Sequence, residues 1–128
     1  MLMAALLVVD DDPDLLVILD MHCSARGHKV AVALTCAEGL RVAACHPPDL
    51  ILLDFCLPKM DGMRFIEILR ADELTRATPV IVMSAASSGW VASRLVPDPL
   101  VRVIGKPLDF SRLDSLIEEM IAVRRASR

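Results

Sequence analysis

The sequence predicts an open α/β sandwich, a parallel five-stranded sheet covered by helices on both faces, and three observations lead there. Short continuous apolar runs alternate with stretches of helical periodicity along the whole chain. The connections are so short that successive strands must be parallel and joined by right-handed crossovers. An apolar fraction of 55% with only 3% aromatics supplies a Leu, Val, Ile, Ala and Met core, which suits strands buried on both faces.

Each element has its own signal. Ala5 to Val9 is an apolar run that ends in acids, the pattern of a buried strand. Asp12-Pro13-Asp14 opens a helix with Asp12 as cap and Pro13 at the first helical position. Its apolar face is read as Leu15, Ile18, Leu19, His22 and Cys23, with Gly27 as the stop. A second strand runs from His28 to Ala33, and Thr35-Cys36-Ala37-Glu38 is a capping box for a helix closed by Pro47-Pro48.

The third strand, Leu50 to Leu53, ends at Asp54. A loop with Pro58 leads to Asp61-Gly62, which begins a helix with a stripe of Met63, Ile66 and Leu69. Pro79 precedes the fourth strand, Val80 to Met83, with Ser84 at its C-terminal end. Ser87-Ser88-Gly89 and Pro97-Asp98-Pro99 leave room for only about two turns of helix between them. Val101 to Ile104 is the fifth strand, and Asp109 caps a last helix whose face is Leu113, Leu116, Ile117, Met120 and Ile121.

At 128 residues the chain holds one core and is too short for two of ordinary size, so 1–128 is read as a single domain. A formal charge of -3 excludes the broad basic field that nucleic-acid binding demands. Arg124, Arg125 and Arg128 are read as a solvated helix end, favoured by the helix dipole. Cys23, Cys36, Cys45 and Cys56 have no zinc-like spacing and are read as free thiols in a reducing compartment. The run from Leu2 to Val9 has no basic flank and meets acids at once, so neither a signal peptide nor a membrane span is expected. The expected location is the cytoplasm.

In a sheet of this kind ligands bind beyond the carboxyl ends of the strands. Asp10, Asp11 and Asp12 follow the first strand, Asp54 the third, Ser84 the fourth and Lys106 the fifth. Acids crowded together raise one another's pKa unless a cation sits among them, and carboxylate oxygens suit Mg²⁺ at ~2.1 Å. One carboxylate can then act as nucleophile towards phosphorus, while the metal, Lys106 and the Ser84 hydroxyl neutralise the phosphoryl oxygens. The product would be an acyl phosphate on aspartate.

These residues resemble a known family. Leu7-Val8-Val9-Asp10-Asp11-Asp12, Leu53-Asp54 with Pro58 and Asp61-Gly62, Val82-Met83-Ser84-Ala85, and Lys106-Pro107 look like the signature set of response-regulator receiver domains of the CheY-like kind, over essentially the whole chain. The resemblance implies strand order 2-1-3-4-5. It also implies that Asp54 is the phosphoacceptor, that Asp11 and Asp54 bind Mg²⁺ with the backbone carbonyl of Cys56, and that Asp10 orders a metal-bound water. Ser84 and Lys106 would contact the phosphoryl oxygens, and the Lys106-Pro107 bond would be cis. Implied partners are a sensor histidine kinase or a histidine phosphotransfer protein, and a downstream protein or output domain. No membrane or direct nucleic-acid contact is implied, and homodimerisation is left open.

Two departures stand out. Receivers commonly carry Tyr or Phe three residues before the lysine, where this chain has Val103. The prolines at 97 and 99 shorten helix four, which remodels the face of helix four, strand five and helix five and makes Trp90 a candidate anchor there. Isolated aspartates at strand ends are usually caps, which is the role given to Asp12 and Asp61. His22 and His28 have no acid at useful spacing and are given no ligand role. Two rival functions share some of these residues. Asp10-x-Asp12 after a strand also matches the nucleophile motif of haloacid dehalogenase-like phosphatases, and a receiver that is never phosphorylated would act as a docking module.

Overall fold

The computed structural model describes residues 3–56, 61–86 and 88–126. Leu2, Pro58, Ser87 and Arg128, which entered the reading above, lie outside them. The elements are β1 (Ala5–Val9), α1 (Pro13–Ala25), β2 (Lys29–Ala33), α2 (Cys36–Cys45), β3 (Leu50–Asp54), α3 (Gly62–Ala71), β4 (Val80–Ser84), α4 (Ser88–Arg94), β5 (Val101–Gly105) and α5 (Phe110–Ala126). All strands are parallel, in the order β2-β1-β3-β4-β5.

Side chains alternate across a strand, so one sequence run feeds two cores. Leu6, Val8, Leu50, Leu52, Ile81 and Met83 pack against α1 and α5. Leu7, Val9, Ile51, Leu53, Val80 and Val82 face the opposite way, towards α2, α3 and α4. Each fully buried Leu, Ile or Val contributes about 1.5–3 kcal/mol. That is why these runs carry no polar residue until their last position.

The predicted caps close as written. Asp12 accepts from the N–H groups of Asp14 and Leu15 at 3.0 and 3.4 Å, and Thr35 from Glu38 at 3.1 Å. Asp61 accepts from Arg64 at 2.9 Å, and Asp109 from Ser111 and Arg112 at 3.0 and 3.2 Å. Gly27 ends the α1 turn with φ of 90°, a conformation that penalises any Cβ. Helix α4 is short, as the prolines require. The segment after it is tied down by Asp98, which accepts from Leu100 N–H at 2.8 Å and pairs with Arg70 at 2.8 Å.

Some expectations need correction. The buried face of α1 is Leu16, Leu19 and Cys23, while Ile18 is half exposed and Leu15 only partly buried. Five consecutive apolar residues from Leu15 to Leu19 leave the phase of the helix to tertiary packing. Strand β2 begins at Lys29, and His28 before it is buried, its Nδ1 accepting from Ala4 N–H at 3.1 Å. His22 does have an acid partner. Its Nε2 lies 2.8 Å from Asp114 of α5, which also pairs with Arg26 at 3.0 Å. Met63 and Ile66 are only partly buried, and the deeply buried side chains of α3 are Phe65 and Leu69.

Two glycine replacements should move stability in opposite directions. A Cβ on Gly39 would sit 2.8 Å from Val9 Cγ2 and 3.3 Å from Phe65 Cε2. Both neighbours are fully buried, so overpacking of about 1–3 kcal/mol outweighs a helix-propensity gain of about 0.5–1 kcal/mol. Gly39→Ala is expected to lower the urea midpoint with an unchanged m-value. Gly89, within α4, has nothing within 4 Å of such a Cβ. Gly89→Ala should raise the midpoint by about 0.5–1 kcal/mol in stability terms.

Candidate functional site

At and just beyond the strand ends, Asp10, Asp11, Asp54 and Lys106 come together in one cluster. Asp10 continues β1, its N–H donating to Ala33 O at 3.1 Å, and its side chain is fully buried. Asp54 closes β3 in register with Met83 of β4, and Ser84 follows one step later opposite Gly105. Lys106 extends β5, its N–H donating to Ser84 O at 2.7 Å. The Lys106-Pro107 bond is cis.

Carboxylate oxygens of Asp10, Asp11 and Asp54 lie within 4.8 Å of one another. Charges that close repel by about 3 kcal/mol per pair at an effective dielectric constant of ~20. Lys106 answers part of this repulsion. Its Nζ donates to Asp10 Oδ2 at 2.8 Å and sits 3.7 Å from Asp54 Oδ1. Three carboxylates against one ammonium still leave negative charge in excess.

The titration behaviour follows from that imbalance. Burial, then the charge of Asp10, pushes the Asp54 carboxyl above its ordinary value, against the opposing pull of Lys106 and the Cys56 N–H. Burial alone would lower Lys106, but its hydrogen bond to Asp10 and the charge of Asp54 leave it raised, so it stays protonated. The three oxygens also suit a hard divalent ion. An octahedron with ~2.1 Å bonds has edges of ~3 Å and diagonals of ~4.2 Å, both inside the 4.8 Å within which these oxygens lie.

Of the residues given a role in the site, Asp10, Asp11, Asp54, Ser84 and Lys106 lie at this edge of the sheet, while the side chains of Asp12 and Asp61 cap helices. Cys56 is exposed, and its N–H donates to Asp54 Oδ1 at 3.3 Å. Two further donors had no side-chain signal to find them by. Asp12 N–H reaches Asp10 Oδ1 at 3.0 Å, and Ala86 N–H reaches Ser84 Oγ at 3.0 Å. Trp90 lies 46% exposed and packs its ring against Phe55, with Arg94 over its face. Val103 pairs with Val82 and is partly buried.

The raised Asp54 pKa fixes a sign. The folded chain holds that proton more tightly than the unfolded chain, whose value is near ~3.9. Stability contributed by the group is therefore complete below that value and lost as pH rises through the folded pKa. In EDTA, Asp54→Asn should be more stable than the native chain at pH 7, by urea midpoint, and the gap should close as pH falls towards 4. A gap that widens on acidification would contradict this.

The response regulator receiver domain family matches residues 6–118. The transcriptional activator protein PfeR of Pseudomonas aeruginosa is 45% identical over 123 residues, 96% of this chain and 39% of PfeR. The transcriptional regulatory protein KdpE of Mycobacterium tuberculosis is 43% identical over 83 residues, 65% of this chain and 35% of KdpE. The chain thus spans well under half the length of these relatives. A receiver domain protein from Clostridium thermocellum shares the fold with a TM-score of 0.83 at 21% identity, covering 98% of this chain and 99% of that one. The family match begins inside β1 and ends inside α5, so no strand or helix of this sheet falls outside it, and the chain belongs to the response regulator receiver domains of two-component signalling.

Proposed function

We propose that Asp54 accepts a phosphoryl group from a phosphohistidine on a sensor histidine kinase or histidine phosphotransfer protein. One observation carries the reading, the difference between the three acids. Asp10 has both oxygens engaged, Oδ2 by Lys106 and Oδ1 by Asp12 N–H. Asp11 is exposed. Asp54 is buried, its Oδ1 meets Cys56 N–H and Lys106, and among the described residues nothing donates to its Oδ2. That oxygen is the nucleophile.

In the transfer a bond forms between Asp54 Oδ2 and phosphorus as the phosphorus–nitrogen bond of the donor breaks. The electron pair returns to the imidazole nitrogen, and the donor histidine leaves neutral because its other ring nitrogen already carries a proton. Lys106 keeps its proton and neutralises one phosphoryl oxygen. Ser84 Oγ accepts from Ala86, which leaves its own O–H hydrogen to donate to a second. Asp10, Asp11 and Asp54, with the Cys56 carbonyl, are the proposed ligand set for Mg²⁺, Asp10 through a water. Mg²⁺ held there would supply the charge neutralisation that phosphoryl transfer requires. The domain's catalysis is confined to its own phosphorylation and dephosphorylation.

Engagement of both Asp10 oxygens argues against that residue as a phosphatase nucleophile. The proposed setting is the cytoplasm, and no helix among the described residues is long and apolar enough to cross a membrane. PfeR and KdpE are named for transcription. By analogy, the proposed downstream partner is a transcriptional output domain or protein, with this single receiver domain making no nucleic-acid contact itself.

Acetyl phosphate with Mg²⁺ should add the mass of one phosphoryl group to the intact chain, and neither Asp54→Asn nor EDTA-treated protein should gain it. Equal labelling of Asp54→Asn would defeat the proposal. Lys106→Ala should slow labelling by about 100-fold, the scale for removing one preorganised donor from a charge-developing site. Quenched time points read by mass spectrometry give that rate.

A further inference from the structure

At the opposite end of the sheet from the acidic cluster, a titratable ring holds the start of β1. His28 precedes β2 and is buried, and its Nδ1 accepts from Ala4 N–H at 3.1 Å. A ring nitrogen that accepts carries a lone pair, so the imidazole is neutral and its proton sits on Nε2. The end of α1 sets the place of the ring, with His28 N–H donating to Cys23 O at 3.2 Å just after Gly27 turns at φ of 90°. Ala4 is a buried core residue whose carbonyl accepts from Lys29 N–H at 2.9 Å. Both backbone groups of Ala4 are thus held from the His28–Lys29 step.

One proton undoes half of this clamp. Protonation at Nδ1 puts a hydrogen where the Ala4 N–H now points, and two donors cannot share that line. Burial is the first cause that keeps the His28 pKa below its ordinary value. Asp114 and Glu118 of α5 favour the charged ring, and Arg26 at the end of α1 opposes it. The Cys23 thiol, pushed up to about 11 chiefly by burial, stays neutral wherever His28 titrates. Arg26, His28, Asp114, Ile117 and Glu118 line one cavity of about 190 Å³. Asp114 is already engaged by His22 and Arg26, whereas Glu118 has no ion pair among the described residues.

We propose that His28 is a pH-sensitive latch on the first strand. Its neutral ring holds Ala4, while its imidazolium releases β1 and is held instead by Glu118 across the shared cavity. Because the folded ring resists its proton, the stability it contributes is complete above the unfolded value of ~6.5 and is lost as pH falls through the folded one. A drop in pH therefore loosens the amino end of β1 first.

Amide exchange and histidine ring shifts, followed by NMR on the whole chain, test the latch. Protection of the Ala4 amide, corrected for the intrinsic exchange rate, should fall at least about tenfold between about pH 7.5 and about pH 5, with its midpoint where His28 titrates. Leu52, at the centre of the sheet, should keep its protection over the same range. His22→Gln should retain the fall at Ala4. His28→Asn, whose side-chain carbonyl can accept from Ala4 at either pH, should abolish it. Glu118→Gln should lower the His28 pKa and carry the fall at Ala4 to lower pH with it, and this variant serves if His28→Asn fails to fold. Ala4 protection that stays level while His28 titrates, that falls equally in His28→Asn, or that falls only together with Leu52 overturns the latch. A His28 pKa that Glu118→Gln leaves unmoved overturns the hand-over to α5.

Discussion

The ion pair between Lys106 and Asp10 is the constraint on which the site depends. These residues extend β5 and β1, which are not neighbours, since β3 and β4 lie between them in the sheet. Asp10 is fully buried, and a buried carboxylate deprived of its cation costs several kcal/mol. The pair therefore holds the ends of the outer and inner strands over the intervening ones. Asp54, at the end of β3, lies beneath the bridge and feels the same ammonium at 3.7 Å. One lysine thus sets the geometry of the pocket and part of its charge.

Much of this was legible in the sequence. A strand buried on both faces must be apolar until it leaves the sheet, so Asp10, Asp54 and Ser84 announce both the strand ends and the polar edge. The caps of α1, α2, α3 and α5 were readable because a short polar side chain before a helical run has one common use. Pro97 and Pro99 foretold the short α4.

What escaped the sequence was the phase of elements and the contacts between distant ones. The run from Leu15 to Leu19 is apolar all round, so its periodicity could not say which residues face the sheet. The bond of His22 to Asp114 spans 92 positions, and that of Lys106 to Asp10 spans 96. The sequence brought Lys106 and Asp10 to one edge because both follow strands, but gave no bond between them, and His22 and Asp114 lack even that restriction. Backbone donors such as Cys56 and Ala86 are invisible in residue type, because every non-proline residue carries the same N–H. The first engages one oxygen of Asp54 and the second the Ser84 hydroxyl.

Helix α4 has only seven residues, and among its described side chains Val91 alone is fully buried. Burying one valine is worth about 1.5–3 kcal/mol, so fully buried apolar side chains hold this helix by no more than that order. A partner that grips this face therefore works against far less buried apolar surface than one that would disturb the doubly buried strands beneath it.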